Sequence, residues 1–238
     1  MHVCTNCGSQ FSDKYCSHCG MKKNDGRIYF KDQWHDAMYY IFSLDSPLWK
    51  TFKGLTTNPG KVGNEYIAGK RKSYYTPIKY FILASAIYFL LIKVTGYDIV
   101  QMQFKAMGTK GVQNPVIDSI KNNVNYFLFL LVIILAFVSK LFFPKSGKSY
   151  PENVAYSFLI VGHFIALSTI FIPLAFINPI FALVKYMVIL YMVYAIFSYY
   201  RGNVIWRLIR SFLVVFLSYL IYITIVYTSV IFFYKATH

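Results

Sequence analysis

The chain has 238 residues, of which 57% are hydrophobic, with a mean hydropathy of +0.46. That lies above the apolar share of an average soluble domain and makes a lipid bilayer the expected solvent for one main domain with a short appendage. A formal charge of +15, from 24 Lys and Arg against nine Asp and Glu, would point to nucleic acid in a soluble protein; here the cations flank apolar runs, which assigns them to anionic headgroups and sets nucleic acid aside.

All four cysteines fall in the first nineteen residues, as Cys4-x2-Cys7-Gly8 and Cys16-x2-Cys19-Gly20. Two residues between cysteines let one tight turn aim both sulfurs at a single ion, and the glycine that follows suits the left-handed backbone closing such a turn. Two knuckles supply four thiolates, a soft tetrahedral set that selects Zn2+ and leaves no open position for catalysis, so a structural zinc ribbon is expected over residues 1–23. The eight intervening residues, Phe11 and Tyr15 among them, are expected to make a small hairpin returning the second pair to the first. Redox dithiols normally open a helix after a strand in a βαβ pattern, which is missing here. His18 reads as an exposed turn residue. A module this short cannot bury a stable core, so metal binding must supply its folding free energy. Met1 runs straight into the cysteine motif without an apolar stretch behind a basic start, so the amino terminus is expected to stay in the cytoplasm, whose reducing conditions keep thiols available to metal.

Residues 24–76 form a juxtamembrane region. Over 27–56 aromatic and apolar side chains (Trp34, Trp49 and Phe52 among them) mix with charges and never form an uninterrupted spanning run, so amphipathic helices at the cytoplasmic interface are expected there. Asp45-Ser46-Pro47 is a helix-start signal, with Ser46 as cap and Pro47 at the first helical position. Asn58-Pro59-Gly60 reads as a turn. The basic run Lys70-Arg71-Lys72 then leads to Tyr74, Tyr75 and Pro77, with Lys70, Arg71 and Lys72 as candidate lipid-headgroup ligands.

Residues 77–238 form the membrane domain, with five apolar runs: Pro77–Val94, Tyr126–Phe143, Val154–Phe176, Pro179–Tyr200 and Leu208–Tyr234. Each meets or approaches the roughly 20 residues that carry a helix across about 30 Å of hydrocarbon. The short turn at Asn178-Pro179 makes runs three and four a helical hairpin. The fold class expected is therefore an all-α polytopic membrane protein of five transmembrane helices, with a small zinc ribbon and interfacial helices. Five crossings put the termini on opposite faces. Eighteen cations fall on the face of the amino terminus and five on the other, so the positive-inside rule makes the amino terminus cytoplasmic and the carboxyl terminus external in a bacterial inner membrane.

Ionisable residues at membrane depth are functional candidates by default, and two stand well away from the run ends. His163, with Ser157, Ser168 and Thr169 on the same run, reads as a hydrogen-bonded strut, a proton relay or a metal ligand. Lys185 either snorkels outward or lines a path. The runs contain no Asp or Glu, which argues against a cation pump; Asp98, Asp118 and Glu152 stand isolated, and no nucleophile constellation, phosphate loop or metalloprotease motif is present, so no enzyme is expected.

The ribbon, the Asn58-Pro59-Gly60 turn and the approach Tyr66-Ile67-Ala68-Gly69-Lys70-Arg71-Lys72-Ser73-Tyr74-Tyr75-Thr76-Pro77 together resemble a bacterial family catalogued as domain of unknown function 3667. The resemblance implies this architecture and no activity. The function expected is a non-enzymatic scaffold or regulatory protein that docks a cytoplasmic protein through the ribbon and residues 27–56, with homo-oligomers as a further partner class; the alternative is a transporter or channel for a small anionic or neutral solute.

Overall fold

A computed structural model describes residues 2–4, 7–13, 15–19, 47–108 and 127–237. The chain divides into two compact units, Met1–Ser46 and Pro47–His238. In the first, β1 (His2–Val3) pairs antiparallel with β2 (Gln10–Phe11), His2 opposite Phe11 and Val3 opposite Gln10. The second is all-helical among the described residues.

Helix α1 (Pro47–Thr57) begins at the proline expected to open it, whose missing N–H costs nothing at the first position; the expected cap Ser46 lies outside the described residues. Thr51 and Leu55 form its buried side. The Thr51 hydroxyl donates to the Pro47 carbonyl at 2.7 Å and accepts from the Tyr75 N–H at 2.8 Å, which ties α1 to the chain entering the first long helix. The stretch at Asn58-Pro59-Gly60 is more than a turn. Asn58 accepts from the Lys61 N–H at 3.1 Å as the cap of a second helix, α2 (Pro59–Ile67), with Pro59 at its first position. The signal was in the sequence: a capping Asn before Pro marks a helix restart as well as a turn.

A 3-10 turn (Arg71–Ser73) leads to α3 (Pro77–Thr95), which ends on Gly96 at φ 64°, the left-handed cap that glycine adopts without a Cβ penalty. The expected loop after it contains a further helix, α4 (Ile99–Ala106), at whose start Asp98 accepts from the Gln101 N–H at 3.0 Å. Helix α5 (Leu128–Phe142) is followed by α6 (Tyr150–Ile177), which starts four residues before the expected run because Ser149 and Glu152 close a capping box. The Ser149 N–H donates to Glu152 at 2.6 Å and the Glu152 N–H to Ser149 Oγ at 3.4 Å. Two of the three isolated acids are thus helix-start groups. Asn178 caps a 3-10 segment (Pro179–Leu183) that passes into α7 (Val184–Tyr199), and α8 (Val204–Thr237) closes the chain.

Helix α6 is the centre: α3, α5 and α7 all pack on it. From Tyr156 to His163 every residue is buried, the pattern of a helix surrounded on all sides. Leu131, Val132, Leu135, Ile160, Val161, Ile196 and Val214 make the core around it. The outward side is apolar as well, with Phe129, Ile133, Phe137 and Leu141 exposed at one helical spacing along α5, and Phe212, Phe216 and Leu220 along α8. A bundle apolar inside and out is built for hydrocarbon.

Among the described residues four segments are long and apolar enough to cross a membrane: Arg71–Thr95, Tyr150–Ile177, Pro179–Tyr199 and Val204–Ser229. The second of the five expected runs falls short. Its 15-residue helix α5 is about 22 Å long at 1.5 Å per residue, against about 30 Å of hydrocarbon, and Tyr126, where the run was expected to begin, lies outside the described residues.

Candidate metal centre and a buried histidine

In the first unit the turn between β1 and β2 is the first knuckle. Gly8, at φ 74°, donates its N–H to the Cys4 carbonyl at 2.9 Å, and the Cys4 N–H returns to the Ser9 carbonyl at 2.9 Å. The strands therefore flank Cys4 and Cys7, where the sequence reading put the hairpin between the two pairs. Cys16 and Cys19 come back beside it, and the four Sγ atoms lie within 4.8 Å of one another. Cys4 Sγ stands 3.4 Å from Cys19 Sγ, and Cys7 Sγ 3.6 Å from Cys16 Sγ. A tetrahedron of metal–sulfur bonds of about 2.3 Å has edges of about 3.8 Å, so the quartet fits one four-coordinate ion. Among the described residues it is the one group of three or more His, Cys, Asp or Glu side chains so placed. Cys4 and Cys16 are buried, Cys7 and Cys19 exposed, and His18 is an exposed turn residue, as expected.

Sequence reasoning missed Ser9. Its hydroxyl lies 2.9 Å from Cys7 Sγ and 3.1 Å from Cys16 Sγ. Hydrogen bonding to Ser9, helped by the backbone N–H of Cys19, lowers the Cys16 thiol to about 6, and Ser9 likewise lowers Cys7. Both favour the thiolate that a soft metal requires. The signal available was a hydroxyl two residues beyond the second knuckle cysteine.

In the second unit His163 sits halfway along α6 and is fully buried. Tyr80 Oη of α3 lies 2.8 Å from its Nδ1, and Thr56 Oγ1 of α1 lies 3.1 Å from its Nε2. The Thr56 hydroxyl donates its one proton to the Phe52 carbonyl at 2.9 Å, so towards His163 it accepts. That assigns the proton to Nε2 and leaves Nδ1 to accept from the Tyr80 hydroxyl, a neutral imidazole with both nitrogens satisfied. The rings of Phe52 and Tyr191 close the remaining sides at 4.9 and 5.2 Å. His163 thus joins α1, α3, α6 and α7. Of its three readings, the hydrogen-bonded strut matches this geometry, and neither nitrogen keeps a lone pair for a metal. Ser168 and Thr169 donate to backbone carbonyls of their own helix at 2.8 Å each.

The same face of the bundle receives the rest of the α1–α2 hairpin. Tyr191 donates to the Leu55 carbonyl and Tyr194 to the Thr57 carbonyl, both at 2.9 Å, satisfying carbonyls that the end of α1 leaves without intrahelical donors. Gly60 and Gly63 of α2 press on the end of α7. A Cβ at Gly60 would collide with the backbone of Ser198, and one at Gly63 with the Tyr156 ring. Lys148 closes this end: its ammonium donates to Asn64 Oδ1 at 2.6 Å and lies 4.0 Å from the centre of the Tyr199 ring, with its pKa lowered by burial.

The other singled-out cations are placed differently. Lys185 is the second residue of α7, immediately after the 3-10 segment, and its side chain lies outside the described residues. Lys70, Arg71 and Lys72 are exposed. Lys70 pairs with Glu65 at 3.0 Å, and Glu65 also accepts from Tyr74 Oη at 2.6 Å; these two bonds, Tyr74 first, hold its carboxyl below the usual range. Gly69, at φ 102°, makes the turn before them.

Neither the curated proteins nor the solved structures give a match. Residues 45–89 match a family model described as "Protein of unknown function (DUF3667)". The matched stretch runs through α1, α2, the basic 3-10 turn and most of α3, which is the hairpin docked on α6 and α7, and it excludes the cysteines. Over residues 45–89 the chain is similar to that family of unknown function.

Proposed function

We propose that the chain is a non-enzymatic scaffold or regulatory protein of the bacterial inner membrane, in which Cys4, Cys7, Cys16 and Cys19 hold a structural Zn2+ in the cytoplasm and a five-helix bundle anchors the assembly. Zinc is favoured by the all-sulfur donor set and the near-tetrahedral spacing. The fifth crossing is α5, whose regularly spaced outward phenylalanines and aliphatics face as lipid-exposed side chains should. An odd number of crossings and the cation census support an amino terminus inside and a carboxyl terminus outside.

The observation that carries the non-enzymatic reading is that, among the described residues, the two candidate groups are closed: four thiols fit one tetrahedron, and both His163 nitrogens are engaged by Tyr80 and Thr56. The partner is a cytoplasmic protein bound through the ribbon and residues 27–56, or a second copy of the chain. A path for a small solute past His163 and Lys185 has less support, since both His163 nitrogens are taken up by Tyr80 and Thr56 and the rings of Phe52 and Tyr191 stand against it. Co-purification separates the readings: Cys16→Ser loses the bound protein and His163→Ala keeps it. An unchanged set of bound proteins in Cys16→Ser overturns the scaffold reading, and loss of solute flux in Lys185→Ala vesicles with the fold intact establishes the path.

A further inference from the structure

The outward side of α1, α2 and the following 3-10 turn carries six exposed cations, Lys50, Lys53, Lys61, Lys70, Arg71 and Lys72. Residues 47–76 contain one acid, Glu65, already engaged by Lys70 and Tyr74. The cations form one patch. Lys50 Nζ stands 5.5 Å from the centre of the Tyr74 ring, Tyr74 donates to Glu65, Lys61 lies one turn before Glu65 on α2, and Arg71 stacks at 6.0 Å on Tyr66 beside it. At the edge of the patch Trp49 is exposed, one turn from Lys53 on the same side of α1. The inner side of these helices is sealed against α6 and α7 by the glycine contacts and tyrosine hydroxyls described above, so the hairpin presents its charge in a fixed direction. The turn opens directly into α3, within the candidate membrane segment Arg71–Thr95.

We propose that this face is a recognition surface for anionic phospholipid, with the six cations meeting headgroup phosphates and Trp49 seated at the level of the headgroups. Charge complementarity selects the occupant. A basic surface with an indole, held next to the start of a membrane segment, is placed where the anionic leaflet is and where indole rings prefer to sit. This extends headgroup contact from the basic run Lys70–Lys72 to the whole docked hairpin and rests on the reading of the chain as a membrane protein.

The test uses the full chain in lipid nanodiscs as two single-tryptophan forms. One retains Trp49 (Trp34→Phe and Trp206→Phe) and the other retains Trp206 (Trp34→Phe and Trp49→Phe), each probed with brominated phosphatidylcholine or brominated phosphatidylglycerol at equal mole fraction. Quenching of Trp206, exposed in the first turn of α8, by either lipid reports that the chain is membrane-embedded; its absence overturns that reading. Phosphatidylglycerol should be enriched beside Trp49 by roughly fivefold, the ratio that about one effective cation gives at an anionic surface, and the enrichment should shrink in 0.5 M salt. Replacing Lys50, Lys53 and Lys61 by Gln should remove most of the preference, while the same positions as Arg should keep it. Equal quenching of Trp49 by the two lipids, a preference unchanged by the Gln substitutions, or no quenching by either lipid, as when a protein covers the face, would overturn the proposal with Trp206 still quenched.

Discussion

The cysteine unit and the helical unit solve the problem of a stable fold by opposite means. Among the described residues of the first, two of the four thiols are buried and the strand pair is two residues long, so a metal ion at the quartet is expected to supply what packing there does not. The second surrounds α6 with packed helices, and its polar groups serve to fasten helices that are far apart in sequence, as Thr56, Tyr80 and Tyr191 do around His163. Removing one ligand type collapses the first, whereas the second fails only where backbones or buried polar pairs are disturbed.

The largest effect expected is on the first unit alone. Structural zinc contributes about 10–16 kcal/mol of binding free energy to small thiolate domains, so a strong chelator should open residues 2–19 to proteolysis and amide exchange while the helical circular dichroism stays constant. Co-unfolding of the bundle would break the contrast. Next, Gly63→Leu should strike the second unit alone, because a side chain there must enter the Tyr156 ring; we expect a loss of about 3 kcal/mol or more in detergent unfolding, with metal content unchanged.

His163→Ala leaves the Tyr80 and Thr56 hydroxyls without their partner and opens a cavity between four helices. It should cost about 2–4 kcal/mol, read as a lower midpoint of unfolding, again without altering metal stoichiometry. A wild-type midpoint in this variant would show that the strut carries no load.

The smallest effect sharpens the first unit. In the folded unit Ser9 lowers the Cys16 thiol from 9.0 to about 6, a contribution to folding that is full above the unfolded value near 9 and is lost as pH falls through about 6. Ser9→Ala should raise the pH at which acid releases the metal from the loaded protein, and an unshifted release curve would assign the lowering to the backbone donors instead.

Much of this was legible in order along the chain. The paired cysteines with their glycines announced the quartet, because a knuckle is set by neighbours a few residues apart. Pro47, Pro77 and Asn178-Pro179 marked helix starts for the same local reason. The reading fell short where a local signal has two meanings or none. Asn58-Pro59 serves a turn and a helix cap alike, α4 hid in a long loop, and α5 takes up 15 residues of its apolar run.

By itself the sequence determined the solvent, the donor set of the metal centre and the positions of the long helices, since composition, short-range spacing and apolar run length are local quantities. Only the tertiary structure decided that α1 and α2 dock on α6 and α7, that Ser9 serves the thiols, and that His163 is a saturated strut with its proton on Nε2. The docking and the strut rest on contacts between residues far apart in sequence, as the Gly60 N–H with Ser198 is at 138 positions, where no spacing rule reaches; Ser9, two and seven residues from its sulfurs, needed the return of the second knuckle beside the first.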